Sequence, residues 1–233
     1  MHSEVIISPG EFARHELAGK TAIVIDVFRF TTTVLTALEA GMERFFPVAD
    51  LEEAWALKKD HPDCFLAGER QALPIPGFDF GNSPLEHQGK AYDGGRLVCS
   101  TTNGTRAIQA AKGAERVVLA SLRSAGAVAQ YAAQEGRDVI FLPAGLEGKY
   151  SLEDTWCAGL ILSYLKAADL GDGAKTALLV YGEVAREQLV ESTHGKRLQA
   201  LGLHDDLEFC LEVDASKGVI VWDQKTGWGG LER

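Results

Sequence analysis

The chain has 233 residues, enough for one large domain or two small ones. Hydrophobic residues make up 46% and charged residues 24%, ordinary proportions for a soluble globular enzyme. A formal net charge of -10 excludes a broad nucleic-acid or anionic-membrane footprint, because those need clustered excess Lys and Arg.

In chain order, Val5-Ile6-Ile7 reads as a short strand ended by Pro9-Gly10. Gly19-Lys20 turns the chain into an apolar, β-branched run, Ala22-Ile23-Val24-Ile25, that leads to Asp26. A strand buried on both faces carries no charge in its interior, so Asp26 is expected at its carboxyl end, where open α/β sheets bind ligands. Arg29 and Thr31-Thr32-Thr33 follow, and residues 34–40 read as a helix ending on Gly41. Residues 44–48 form the next expected strand. Asp50 then caps a helix to Lys59, with Glu53 placed as in a capping box.

Residues 64–67 read as a strand whose end carries Gly68-Glu69-Arg70. The stretch 71–95 is rich in Pro and Gly and fits no long helix; its aromatics and isolated charges predict an ordered, functional loop. A strand at 96–100 leads into a helix beginning at Thr105. Strands at 117–120 and 139–142 flank a helix over 125–135, and a long helix is expected from Leu152 to Ala168 after Ser151. Residues 175–201 read as helical, with breaks near Gly182 and Gly195, and 207–213 and 219–222 as closing strands.

Strands alternating with helices predict a three-layer α/β/α sandwich with a mostly parallel, mixed sheet. No linker, repeat or low-complexity tract interrupts it, so residues 1–233 are expected to form one domain. Cys64, Cys99, Cys157 and Cys210 are widely spaced in apolar settings, so buried free thiols are expected rather than disulfides or zinc ligands. The start lacks a basic, apolar leader and no segment approaches ~20 apolar residues; a cytoplasmic protein with no membrane or nucleic-acid partner is expected.

Four strand ends gather polar groups. The first holds Asp26, Arg29 and the threonines, which add hydroxyls to the open N–H groups of a helix start and so favour an anion. An Asp beside an anion is repulsive unless a cation lies between them or the Asp attacks it; the alternative is that Asp26 caps the helix and pairs with Arg29. The second runs from Glu69-Arg70 into the segment 77–84, with Asn82 and Ser83. The third is Ser100-Thr101-Thr102-Asn103-Gly104-Thr105-Arg106, where Gly104 permits a φ > 0 turn and the N–H groups can converge on an oxyanion. It lacks the Lys-Ser/Thr pair of a Walker loop and the G-x-S-x-G of a nucleophile elbow, and a helix-capping turn remains its structural alternative. The fourth is Ala144-Gly145 with Glu153-Asp154.

Hard cations such as Mg²⁺ take oxygen ligands, commonly one or two carboxylates with substrate and water. Asp26, Glu69, Asp79, Glu153 and Asp154 stand at suitable ends, and Asp26, Glu69 and Asp154 are the candidate ligands. His194 offers a general acid but reads more simply as a surface histidine at a helix junction. Cys99 misses the C-x5-R of the cysteine phosphatases, since Thr105 stands where the arginine would be.

The segments 24–33, 67–70, 77–84, 100–106 and 151–159 (VIDVFRFTTT, AGER, GFDFGNSP, STTNGTR and SLEDTWCAG), in this order, closely resemble the signature segments of the 2-phosphosulfolactate phosphatase family. The resemblance implies a family-specific α/β/α fold. It also implies a Mg²⁺-dependent phosphatase that hydrolyses (R)-2-phospho-3-sulfolactate to 3-sulfolactate and phosphate, a step of coenzyme M biosynthesis. Phe28 and Phe30 stand where the family commonly has Leu and Ala, and are expected to bear on packing.

With such a substrate, Ser100, Thr101, Thr102, Asn103, Gly104 and Thr105 are expected to hold the phosphate together with the metal, and Thr32, Asn82 and Ser83 are further candidate substrate-binding residues. Arg29, Arg70 and Arg106 are left for the carboxylate and sulfonate, whose oxygens suit planar guanidinium forks. Asp26, Arg29 and Asn103 are the candidate catalytic residues. Asp26 as a covalent nucleophile is the competing role, against which Phe28 stands where the second Asp of Asp-x-Asp-x-Thr would be. Two other functions stay open: a phosphatase for another 2-phospho-acid, and a non-catalytic phosphate- or sulfonate-binding regulator. A homodimer is the expected assembly.

Overall fold

Thr21–Ile25 (β2) is buried along its whole length, and the computed structural model, which describes residues 1–232, is built around it. Ile23 and Ile25 pack on one face while Ala22 and Val24 pack on the other, as the two-residue period of a strand requires. β2 pairs in parallel with Arg116–Ala120 (β7) and Val139–Pro143 (β8). Beyond β8 lie His2–Val5 (β1) and Asp169–Leu170 (β9), also parallel. On the other side β7 is followed by Val219–Trp222 (β10), Gly229–Glu232 (β11), Arg44–Pro47 (β3), Arg96–Ser100 (β6), Cys64–Arg70 (β4) and Leu73–Pro74 (β5), 11 strands in one sheet.

Helices cover both faces. Ala125–Glu135 (α4), Leu152–Leu165 (α5) and Asp172–Glu183 (α6) pack over Ile23 and Ile25, and Phe30–Glu39 (α1) and Gly104–Ala110 (α3) over Ala22 and Val24. α4 shows why: Ala125, Val128, Ala129 and Ala132 are its buried residues, a stripe spaced for one helical face. Leu51–Asp60 (α2) starts on Asp50, whose side chain accepts the Glu53 N–H as expected, and covers Leu66 and Val98. The expected three-layer α/β/α sandwich with a mostly parallel, mixed sheet is therefore present. All four cysteines are free and buried, and among the described residues no helix is long and apolar enough to cross a membrane.

The sheet contains two parallel blocks. β10 is antiparallel to β7 and to β11, and β11 is antiparallel to β3, so β3, β4 and β6 run opposite to β2 when counted along the ladder. In a flat sheet the carboxyl ends of β4 and β6 would lie at the edge away from Asp26. Both sets of ends nevertheless line one cleft: Asp26 follows β2, Glu69 and Arg70 end β4, and Thr101 follows β6.

Several elements differ from the sequence reading. The helix after Asp26 begins at Phe30 rather than Val34, and takes in the threonines. Residues 207–213, expected as a strand, belong largely to a helix, His204–Cys210 (α8). Leu203, Leu207, Cys210 and Leu211 carry the helical spacing there, and Asp205 and Asp206 the acidic first turn. The helical region after Lys175 breaks near Gly182 as expected, since α6 ends at Glu183 and a short 3₁₀ helix, Arg186–Glu191, follows; the second break falls at Ser192 rather than Gly195, which lies inside Thr193–Ala200 (α7). β1 ends at Val5 rather than Ile7, and β9 and β11 were not anticipated.

Candidate active site

Asp26 is the first residue past β2 and is 6% exposed. Its backbone is tied to Thr31: the Asp26 carbonyl accepts the Thr31 N–H at 3.1 Å and its hydroxyl at 2.7 Å. One carboxylate oxygen, Oδ1, accepts the Phe30 N–H at 3.3 Å, so Asp26 does help to cap α1. The other, Oδ2, faces Gly104, where an added Cβ would lie 2.7 Å from it and 2.2 Å from the Phe30 ring. Gly104 is thus required for close approach of two loops, not for the left-handed turn expected of it. Burial raises the Asp26 carboxyl to about 6; His194 and the Phe30 N–H oppose the rise, and Glu69 and Glu153 add to it.

Arg29 lines the same cleft but does not pair with Asp26. Its Nη1 meets Oδ2 of Asp206 on α8 at 2.5 Å, and its Nη2 donates to the Ala72 carbonyl at 3.0 Å. Asp206 also accepts the Ser83 hydroxyl at 2.5 Å, so Ser83 supports Arg29 from outside the cleft. The hydroxyls of Thr31, Thr32 and Thr33 on α1 are spent on backbone carbonyls, and none of the three lines the cleft. Thr32 Oγ1 donates to the Val27 carbonyl at 3.0 Å and Thr33 Oγ1 to those of Arg29 and Asn82, also at 3.0 Å.

Glu69 and Arg70 end β4. The Glu69 carboxylate accepts the Thr102 N–H at 2.8 Å and the Ala72 N–H at 2.7 Å, joining two motif loops. Gln71 and Ala72 form the two-residue hairpin between β4 and β5 with φ of 56° and 65°, a conformation that favours Asn-Gly and costs about 1–2 kcal/mol for a side-chain-bearing residue. Glu69 and Arg29 hold this turn by the Ala72 N–H and carbonyl. Arg70 donates to the Glu69 and Ser100 carbonyls and to the Ser100 hydroxyl; among the described residues no carboxylate lies within ion-pair distance of it.

Of the loop 100–106, Thr101, Thr102 and Asn103 line the cleft, as does Asn82. Ser100, Gly104 and Thr105 lie behind it: Thr105 Oγ1 donates to the Thr101 carbonyl at 2.7 Å, and Ser100 Oγ is taken by Arg70. Arg106 is exposed on α3 and does not line the cleft. Asp154 also lies behind it, with Oδ1 accepting the Val27 N–H at 2.9 Å and Oδ2 the Gly145 N–H at 3.1 Å. Burial, Glu153 and Asp26 push its carboxyl well above the usual range. Asp79 is spent on the Leu66 N–H and Lys58, and burial pushes the Cys99 thiol up, away from a thiolate.

Among the described residues no three His, Cys, Asp or Glu side chains converge as a metal cluster. Asp26 and Glu69 are the candidate ligands that line the cleft, and two carboxylates suffice for Mg²⁺ when substrate and water complete its shell.

The cleft, about 410 Å³ in volume, has a further wall, of which the sequence reading named only His194. α7 contributes His194, Arg197 and Leu198, and Glu147 joins Arg197 at 2.8 Å. His194 is not the surface histidine expected: Nδ1 lies 3.0 Å from Oε1 of buried Glu153. The spacing of 194, 197 and 198 on one helical face was the available signal.

A model of the family described as 2-phosphosulpholactate phosphatase matches residues 6–225. A protein of Clostridium perfringens (strain SM101 / Type A) is 41% identical over 219 residues, covering 90% of this chain and 89% of its own. One from Symbiobacterium thermophilum is 43% identical over 218 residues, covering 90% and 92%, and one from Thermotoga maritima is 41% identical over 203 residues, covering 86% and 88%. All three carry the name probable 2-phosphosulfolactate phosphatase.

Proposed function

The chain belongs to the 2-phosphosulpholactate phosphatase family, and on that premise we propose that it is a phosphoric monoester hydrolase that converts (R)-2-phospho-3-sulfolactate to 3-sulfolactate and phosphate. The observation that carries this reading is the pairing of opposites in one small cleft. Asp26 and Glu69 supply negative charge to one side, and Arg70, with no acid of its own, faces the same space. A phosphoryl group needs both, a cationic partner for its oxygens and a carboxylate end where a metal or water is held.

Asp26 and Glu69 would hold Mg²⁺, with Asp154 fixing the Asp26 loop from behind through the Val27 N–H. The ion would supply Lewis-acid charge for the phosphoryl oxygens. Arg70 binds an anionic group of the substrate, and Arg29, locked by Asp206, presents a fixed guanidinium face. Thr101, Thr102 and Asn103 orient the phosphate at the turn into α3. Water rather than Asp26 is the nucleophile in this reading, and the step belongs to coenzyme M biosynthesis.

The test is phosphate release by the purified protein from phosphosulfolactate, from phospholactate, which lacks the sulfonate, and from phosphoglycolate, which also lacks the side arm. Preference for the first supports the reading. Similar efficiency on all three makes this a general 2-phospho-acid phosphatase, and binding without turnover makes it a regulator.

A further inference from the structure

α7 delivers one titratable ring to the cleft, and its first turn has a fixed seat. Ser192 Oγ accepts the Gly195 N–H at 3.0 Å, and a side chain at position 195 would meet the Val190 carbonyl oxygen at 2.3 Å. The His194 ring is then gripped twice. Nδ1 lies 3.0 Å from Oε1 of Glu153, a side chain 1% exposed in the first turn of α5. The Phe28 ring meets it edge-on, with centroids 6.0 Å apart and planes at 77°. With Nδ1 taken, Nε2 is the nitrogen left to the cleft, and it has no hydrogen-bond partner among the described residues. Phe28 therefore does more than pack: it sets the plane of the ring.

Hydrolysis of a secondary alkyl phosphate expels a poor leaving group, whose oxygen needs a proton in the transition state. The other acids on the cleft wall are engaged. Glu69 accepts two backbone N–H groups, Glu147 is paired with Arg197, and Asp26 accepts the Phe30 N–H and is assigned to the metal in the reading above. Resting on the phosphatase reading above, we infer that His194 is the general acid that protonates the leaving alcohol and that Glu153 is its positioning residue. The bond from water oxygen to phosphorus forms as the bond from phosphorus to the bridging oxygen breaks. The electron pair of the broken bond stays on the bridging oxygen, which takes the proton from His194 Nε2. The attacking water loses one proton to solvent, and the ring regains one from solvent.

The experiment compares two esters that differ in one atom: the 2-phospho-acid that the wild type hydrolyses, and its analogue with sulfur in the bridging position. A thiolate leaves without a proton, so a general acid matters to the oxygen ester alone. His194→Asn keeps an amide that can reach Glu153. It is expected to lose about 10²- to 10⁴-fold in kcat on the oxygen ester and under about tenfold on the sulfur ester. Glu153→Gln is expected to show the same bias with a smaller loss, and carries the comparison if His194→Asn does not fold by circular dichroism. Equal losses on the two esters, or no loss on the oxygen ester, overturn the inference while leaving the phosphatase reading intact. A wild type that releases phosphate from no 2-phospho-acid overturns that reading, and the inference with it.

Discussion

Arg29 is paired with Asp206, 177 positions further along the chain and 2.5 Å from its Nη1, and not with Asp26 three residues before it. Both side chains are almost fully buried, at 4% and 3% exposure. The pair therefore leaves Asp26 free for the cleft and ties the loop after β2 to α8. Removing one member of a buried pair strands the other's charge, at a cost of roughly 3–5 kcal/mol. Asp206→Ala is expected to lower unfolding free energy in urea by that amount and to cut kcat/KM as well. Asp206→Ala with Arg29→Met should recover part of the stability but none of the activity. Full activity in Asp206→Ala would remove Arg29 from the site.

Metal dependence follows from the two cleft carboxylates. Protein stripped with EDTA is expected to lose phosphate release and to regain it with Mg²⁺. Independently of turnover, Mg²⁺ should raise the Tm of wild type and leave Asp26→Asn unmoved. The stereochemical course at an isotopically chiral phosphoryl group distinguishes the roles of Asp26: direct water attack inverts the configuration at phosphorus, whereas retention would identify a covalent intermediate with Asp26 as the nucleophile.

Arg70 and Arg106 should separate cleanly. Arg70→Ala loses a charge-assisted contact to a desolvated anion, expected at roughly 2–4 kcal/mol, or on the order of 30- to 1000-fold in kcat/KM. Arg70→Lys should recover little, because a point charge cannot keep the fork that reaches the Ser100 hydroxyl and carbonyl. Arg106→Ala, on the exposed side of α3, should stay within about twofold of wild type, less than 0.5 kcal/mol. If Arg70→Ala lowers activity equally on phosphosulfolactate and phospholactate, Arg70 serves the phosphate or carboxylate rather than the sulfonate.

His87 gives stability a pH dependence unrelated to catalysis. The ring is fully buried, its Nδ1 is 3.0 Å from the Tyr92 hydroxyl, and its Nε2 has no partner among the described residues. Burial, with a smaller push from Lys90, lowers its pKa to about 4, against about 6.5 in the unfolded chain. Between these values the unfolded state binds the extra proton. The stabilisation is therefore complete above pH 6.5 and is lost as pH falls toward 4, by roughly 3–3.5 kcal/mol in all. Urea unfolding at pH 7 and pH 4.5 measures it. His87→Phe should flatten the pH dependence, and an unchanged slope would assign it to other groups.

What was legible in the sequence was local. A β-branched run ending in Asp26, the Glu69-Arg70 strand end and a Ser/Thr/Asn/Gly turn at 100–104 each follow from neighbours a few residues apart, and residues from each line the cleft. Asp50 and Ser151 cap their helices for the same reason, since a cap is decided within one turn. Direction was not legible. Thr32 and Thr105 satisfy their hydroxyls on backbone carbonyls, and Arg106 falls on the outer side of α3, because a helix shows only part of its circumference to any site. Nor were the long pairings. Arg29 with Asp206 and His194 with Glu153 join segments whose separation along the chain carries no distance information. Only the packing of α7 and α8 onto the core that holds Val27 and Phe28 brings them within hydrogen-bond reach.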